Sequence, residues 1–242
     1  MSAVETFGKQ LIAWGIDLPA GTEMRLYEFA GLLGSYDAAN VIGTRELDRI
    51  FLEHVLDSMS CLLFPGMKSA TRVADVGSGG GLPAVPLAVA LPDVKFTLLE
   101  STGKKATFLR HTAEKLGLSN VEVVNERVES VGHDPLRRAT QDVCTVRAVA
   151  KLPVLAEYCL PLLEMGGHVV SMKGQMSDEE YEEGERAARL LGGIVLQTIE
   201  VPILAELEQK TRRLIVLKKV EETPDAYPRR VGTPAKKPLG RA

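Results

Sequence analysis

A chain of 242 residues, 45% of them hydrophobic, can bury one substantial core, which points to one domain with an appendage and not to two. No stretch approaches the roughly 18 uninterrupted apolar residues of a membrane span, and the first residues lack the basic-then-apolar order of an export signal, so a cytoplasmic protein without membrane contact is expected. The net charge of −3 argues by itself against a nucleic-acid partner, but it hides two opposed segments: six acids and no base at 178–185, and five cations against one acid at 223–242.

Residues 1–66 read as an all-helical preface. Val4, Phe7, Leu11 and Ile12 recur at helical spacing, as do Leu26, Phe29, Leu32 and Leu33 after the Pro19-Ala20-Gly21 break. Leu47, Ile50, Phe51, Val55, Met59 and Leu62 mark a third helix ending before Pro65-Gly66. His54 and Asp57 stand three positions apart on it, close enough to share a face. No further His, Cys or carboxylate spacing completes a ligand set, so a hydrogen bond on the helix surface is expected and no metal. Cys61, Cys144 and Cys159, few and widely spaced, read as core residues.

The apolar run 73–76 reads as a buried parallel strand, followed at once by Gly77, Gly79, Gly80 and Gly81 and then by a helical pattern. Such a turn lets backbone approach a ligand where Cβ atoms would collide. A dinucleotide fingerprint needs a third glycine at position 82, which is Leu. What fits is D-x-G-x-G-x-G on Asp75, Gly77, Gly79 and Gly81, the pattern of S-adenosylmethionine methyltransferases. A second strand over 95–100 ends in Glu100, a carboxylate able to accept both hydroxyls of a ribose, which supports a nucleoside without choosing among nucleosides.

A helix over 103–116 follows, with Lys104, Lys105, Arg110, His111 and Lys115. Strands at 121–124, 142–146, 166–172, 194–201 and 214–218 alternate with helices, including one at 152–163 and the acidic segment, which reads as a solvated face. Cys144 should point into the sheet, and neither an Asn/Asp-Pro-Pro-aromatic motif nor a nucleophilic cysteine follows the fourth strand. An acceptor that needs no deprotonation, such as guanine N7, fits that absence. Arg127 and Arg147, at strand ends above the cleft, are candidates for orienting base and phosphate; either could instead pair with Glu126 or Glu129. The tail at 227–238 is too proline-rich for a sheet interior, and reads either as extended chain contacting phosphates or as a disordered solubilising end.

V-A-D-V-G-S-G-G-G-L-P-A-V-P-L-A, L-L-E-S-T-G-K-K-A-T-F-L-R, E-R-V-E, V-R-A-V-A, M-K-G and Y-P-R-R-V-G-T-P-A-K-K-P-L, with E-H-V-L-D-S before them, resemble in order and spacing the ribosomal RNA small-subunit methyltransferase G family, also called glucose-inhibited division protein B. The resemblance spans roughly residues 40–238. It implies an α/β, Rossmann-like class I methyltransferase fold, with a mostly parallel seven-stranded sheet, helices on both faces and an N-terminal helical cap. The expected division is a cap at 1–66, a core at 67–222 and a basic tail at 223–242. The implied activity is methyl transfer from S-adenosylmethionine to guanine N7 of bacterial 16S ribosomal RNA, by a monomer acting on RNA or on a ribosomal particle. Carried over by motif, Gly77, Leu82, Val128, Glu129 and Arg147 contact the cofactor and Glu100 holds its ribose. Arg127, Lys173, Arg229, Arg230, Lys236 and Lys237 resemble RNA contacts. Leu82 stands where many members have Phe, and Val128 where many have Ala. Two other readings stay open: an assembly factor with a vestigial pocket, and a nicotinamide-dependent oxidoreductase.

Overall fold

The apolar runs assemble into one seven-stranded sheet in the computed structural model, which describes residues 2–203 and 212–241. Ahead of it, α1 (Ala3–Trp14) is started by a reciprocal capping box: the Ser2 hydroxyl accepts from the Glu5 amide, and the Glu5 carboxylate accepts from the Ser2 amide. Gly15 stops the helix in the left-handed conformation. Phe7 and Leu11 of α1 and Leu26, Phe29 and Leu33 of α2 (Thr22–Ser35) are buried as their spacing requires. Ile12 does not share that face and is 79% exposed.

The third helix is not the single element its periodicity suggests. It runs as α3 (Leu47–Ile50), a π-helical turn (Phe51–Val55), α4 (Leu56–Met59) and a 3₁₀ turn (Ser60–Leu63), followed by an unexpected α5 (Pro65–Ser69). A widened turn shifts the phase of everything after it, and π turns gather at functional sites. Here Phe51, Val55, Leu56 and Met59 stay in the core, while His54 and Asp57 border cavities at one edge of the sheet.

The remaining elements are β1 (Arg72–Val76), α6 (Ala84–Ala90), β2 (Lys95–Leu99), α7 (Gly103–Lys115), β3 (Val121–Val124), α8 (Val128–Val131), β4 (Gln141–Arg147), α9 (Leu152–Cys159), β5 (Leu163–Lys173), α10 (Asp178–Leu190), β6 (Gly193–Val201), β7 (Arg212–Lys219) and α11 (Thr233–Lys236). The strand order is β3-β2-β1-β4-β5-β7-β6. The first five strands run parallel, and β7 is antiparallel to both neighbours. Pro161 converts the end of the expected 152–163 helix into a 3₁₀ turn, which lets β5 begin at Leu163. Alternate strand residues feed two cores. Val73, Phe96, Leu98 and Val143 pack under α1–α7, whereas Ala74, Val76, Cys144 and Val146 pack under α8–α10. All three cysteines are buried, and Cys144 does point into the sheet.

The tail is neither extended nor loose. Arg138 donates to the carbonyls of Thr223, Pro224 and Tyr227, and the His133 ring meets the Pro228 carbonyl at 2.6 Å. Arg229, expected to contact RNA, makes a bidentate pair with Glu157 of α9 through Nε at 2.9 Å and Nη2 at 2.7 Å, and Nη2 also donates to the Lys237 carbonyl. Glu157 has no solvent exposure, so its carboxylate requires that partner. The charge pattern made Arg229 look like a free cation because the acid that claims it lies 72 residues away. We predict that Arg229→Ala lowers the urea-unfolding free energy by about 3–5 kcal/mol. The adjacent, exposed Arg230→Ala should change it by less than about 0.5 kcal/mol.

Candidate active site

In an open parallel sheet, side chains converge beyond the carboxyl ends of the strands, and the turn after β1 sits there. Its backbone is bent by left-handed φ values of 71° at Gly77, 54° at Gly79 and 84° at Gly81. Of its amides at 77–81, all but that of Gly80 have a partner within the described residues. Gly77 and Ser78 donate to the Leu99 carbonyl at 2.9 and 3.1 Å, Gly79 donates to Glu100 Oε2 at 2.9 Å, and Gly81 donates to the Ser78 carbonyl. The second Glu100 oxygen accepts from the Thr102 amide. Glu100 thus sews the turn to the end of β2, with a lone pair on each oxygen still unused.

Two acids lie against this turn. Glu100 is 6% exposed; Asp75 is 1% exposed, accepts the Thr145 hydroxyl at 2.7 Å through one oxygen, and keeps the other without a partner. Burial pushes the Asp75 carboxyl up to about 6, against the downward pull of its hydrogen bond from Thr145. A turn with four of its amides engaged and two carboxylates beneath it offers little to a pyrophosphate and suits a cation. The oxidoreductase reading fails on that electrostatic ground as well as on Leu82.

Three cavities meet at this edge. One, of about 290 Å³, is bordered by Gly77, Gly79, Gly80, Leu82, His54, Lys105 and Arg147. A second, of about 220 Å³, lies between Val76, Gly77 and Leu99 on one side and Arg127, Val128, Glu129 and Tyr158 on the other. Ala235 of the tail closes that second cavity, and Gly232 N–H reaches Glu129 Oε1 at 2.8 Å. Val149 lies over Gly77 between the two, where a Cβ on that glycine would come within 2.7 Å of its Cγ2. It is delivered there by Ala148, whose φ of 55° is a strained value for a residue with a side chain. The third cavity, of about 270 Å³, is bordered by Asp57, Arg147, Met172, Lys173 and Arg212.

Arg147 leaves β4 between the first and third cavities. It donates to the His54 carbonyl at 3.2 Å and meets His54 Nδ1 at 2.8 Å, with Asp57 Oδ2 at 3.6 Å. Asp57, only 5% exposed, also faces Arg212 at 3.5 Å. Burial, then the Arg147 charge, holds His54 down to about 4, so its ring is neutral and its Nδ1 lone pair accepts from the guanidinium. The expected surface bond between His54 and Asp57 is therefore replaced by a shared grip on Arg147. Neither Glu126 nor Glu129 pairs with Arg147 or with the exposed Arg127 among the described residues.

The structure sorts the other expected site residues. Arg127 and Arg147 border different cavities and are not brought together. Asp75 lies beneath the turn and borders none of the three cavities, and Gly81 is turned inward, where a Cβ would meet Val85 at 2.6 Å. Lys173 spends its ammonium on Glu180 Oε1 and the Ala150 carbonyl, both at 2.8 Å, so the acidic helix is partly an internal partner. Of the tail cations, Arg230, Lys236 and Lys237 remain exposed. Arg212, Val149 and Tyr158 escaped sequence reasoning; for Arg212 the signal was the Arg-Arg pair just ahead of the last apolar strand.

The chain matches the family described as GidB, rRNA small subunit methyltransferase G, over residues 23–222. It belongs to that family. It is 55% identical over 239 residues to the ribosomal RNA small subunit methyltransferase G of Rubrobacter xylanophilus, covering 98% of this chain and 92% of that one. The protein of the same name from Lactobacillus acidophilus is 38% identical over 90% of each chain. Among solved structures, the O-methyltransferase TomG of Streptomyces achromogenes, in complex with SAM, has a TM-score of 0.57 at 16% identity, covering 91% of this chain and all of that one. A transferase of Pyrococcus horikoshii has a TM-score of 0.51 at 17% identity, covering 65% and 62% of the two chains. These likenesses show the class I methyltransferase fold.

A carboxyl whose folded pKa is raised costs stability once ionised. The stability of the wild type relative to Asp75→Asn should therefore grow as pH falls from about 6 to about 4, by up to about 3 kcal/mol. Taking the difference between the two proteins cancels the opposite contribution of His54. Urea titrations across that range read it directly.

Proposed function

We propose that this chain is an S-adenosylmethionine-dependent methyltransferase acting on N7 of a guanine in bacterial small-subunit ribosomal RNA. The observation that supports the reading is the acid-lined turn: four of its N–H groups are taken by Leu99, Glu100 and Ser78, and two buried carboxylates lie against it. S-adenosylmethionine fits that donor set, because it offers an ammonium and a sulfonium and no phosphate, and when bound it supplies an electrophilic methyl group. Gly77, Gly79 and Leu82 would hold its amino-acid end. Glu100 would take the ribose hydroxyls on its free lone pairs, and Val128 and Glu129 would flank the base.

The acceptor belongs in the cavity at the ends of β4 and β5. Met172 offers an apolar surface to a purine, and Arg147 and Arg212 offer the donors that a guanine O6 edge accepts. N7 carries an in-plane lone pair and loses no proton, so the residues need only align it and exclude water. His54 fits that requirement: held near 4 and occupied by Arg147, it serves as a fixed acceptor for the guanidinium. Arg127, Arg230, Lys236 and Lys237, exposed around the second cavity and the tail, are read as contacts to RNA phosphates. The enzyme is taken to act in the cytoplasm as a monomer, its site being built from one chain. No helix among the described residues is long and apolar enough to cross a membrane.

Small-subunit RNA from cells lacking the enzyme should take up labelled methyl at one guanine, with the product mapped as 7-methylguanine. No incorporation into naked RNA or into small subunits would reject the reading. Arg147→Ala should lower kcat/KM about a hundredfold per folded molecule, a larger loss than its lowered urea midpoint explains, since Arg212 still faces the buried Asp57. Equal activity in that variant would remove Arg147 from the acceptor side.

A further inference from the structure

Helix α7 turns Ala106, Phe108, Leu109 and Thr112 into the core and leaves Lys104, Thr107, Arg110, His111, Glu114 and Lys115 exposed, with Lys105 half-buried beside them. That outer face departs from what a merely solvated helix would carry. The positive end of a helix dipole disfavours cations in the first turn, yet Lys104 and Lys105 occupy it with no acid present. Helix α10 of the same chain follows the rule, with Asp178, Glu179 and Glu180 in its first turn and Arg189 in its last. The cations of α7 also lack carboxylate partners: none of the ion pairs among the described residues involves this helix. Arg49, Arg72, Arg137 and Arg186 on other surfaces each have one, whereas Lys68 and Lys218 have none among the described residues, and Arg110 has a long bond to the Val123 carbonyl at 3.5 Å. What sets α7 apart is therefore its first turn, where two cations stand against the dipole beside the cavity, a broken local rule that marks an external partner.

Position identifies the partner. Lys105 borders the same cavity as Arg147 and the glycine turn, so α7 starts at the mouth of the site. Tyr36 fixes it there, its hydroxyl donating to the Lys104 carbonyl and its ring 4.6 Å from that of Phe108. From Lys104 to Lys115 the face runs away from the mouth for about 16 Å. It carries no large apolar side chain, which disfavours a lipid surface. We propose that the outer face of α7 is the track for the RNA strand flanking the methylated nucleotide, with Lys104, Arg110 and Lys115 neutralising successive phosphates. This rests on the RNA methyltransferase reading and extends it to a surface that reading leaves out.

The test compares K104E/R110E with K68E/K218E, an equal charge reversal on α5 and β7 toward the amino ends of the parallel strands. Binding of small-subunit RNA is followed by fluorescence anisotropy across a salt series, and methyl transfer is followed in parallel. The α7 variant should raise the KM for RNA about tenfold and flatten the slope of log K against log salt by about 1.4, or about 0.7 per lost contact. Its affinity for S-adenosylmethionine by calorimetry should be unchanged, and the neutral K104Q/R110Q should give a smaller effect of the same sign. A KM and slope equal to those of K68E/K218E would overturn the track, as would equal loss in both variants. Anisotropy reads the track even if no methyl is transferred, so failure of the catalytic reading stays separate from failure of this one.

Discussion

Everything at the site depends on how the turn after β1 spends its amides. Two of them converge on the Leu99 carbonyl and a third on Glu100, so the end of β2 holds the turn open like a clasp. Had those N–H groups pointed outward, the same glycines would have made an anion cradle. Because they point inward and two acids lie against them, the cleft has a negative floor. The turn thus favours a sulfonium over a phosphate-bearing cofactor through its bonds to the Leu99 carbonyl and the Glu100 side chain and through the acids beneath it.

Around that floor the chain builds two walls from its ends. The N-terminal helices bring His54 and Asp57 across a π turn to grip Arg147, and Asp57 extends the grip to Arg212 on β7. The C-terminal segment packs against α8 and α9, where Gly232 holds Glu129 and Arg229 neutralises the buried Glu157. Each wall places polar side chains that neither strand order nor the glycine motif would position. A buried acid with two arginine partners is costly to isolate, so that wall is rigid. Val149, held over Gly77 by the strained Ala148, divides the cleft between the walls.

Much of this was legible in the residues. Strand–turn–helix alternation, the placement of Asp75, Gly77 and Glu100 and the inward aim of Cys144 follow from periods of 2 and 3.6 residues and from turn chemistry, which are local. The missed features were long-range. Lys173 has Glu180 and Arg229 has Glu157 within the chain, because a charge reads as free until a partner distant in sequence is folded beside it. The break of the third helix left no mark in its apolar pattern, since Phe51 and Val55 at the two ends of the π turn and Met59 after it are all buried.

The sequence by itself determined the order of strands and helices, the glycine turn and the acid at the end of the second strand, because these rest on spacing along the backbone. Only the tertiary structure decided which cations were spoken for, which wall the tail would form and which face of α7 was left unpaired. Those outcomes depend on burial: a carboxylate removed from water takes whatever cation the fold brings to it, and the cations it does not reach remain for something outside the chain.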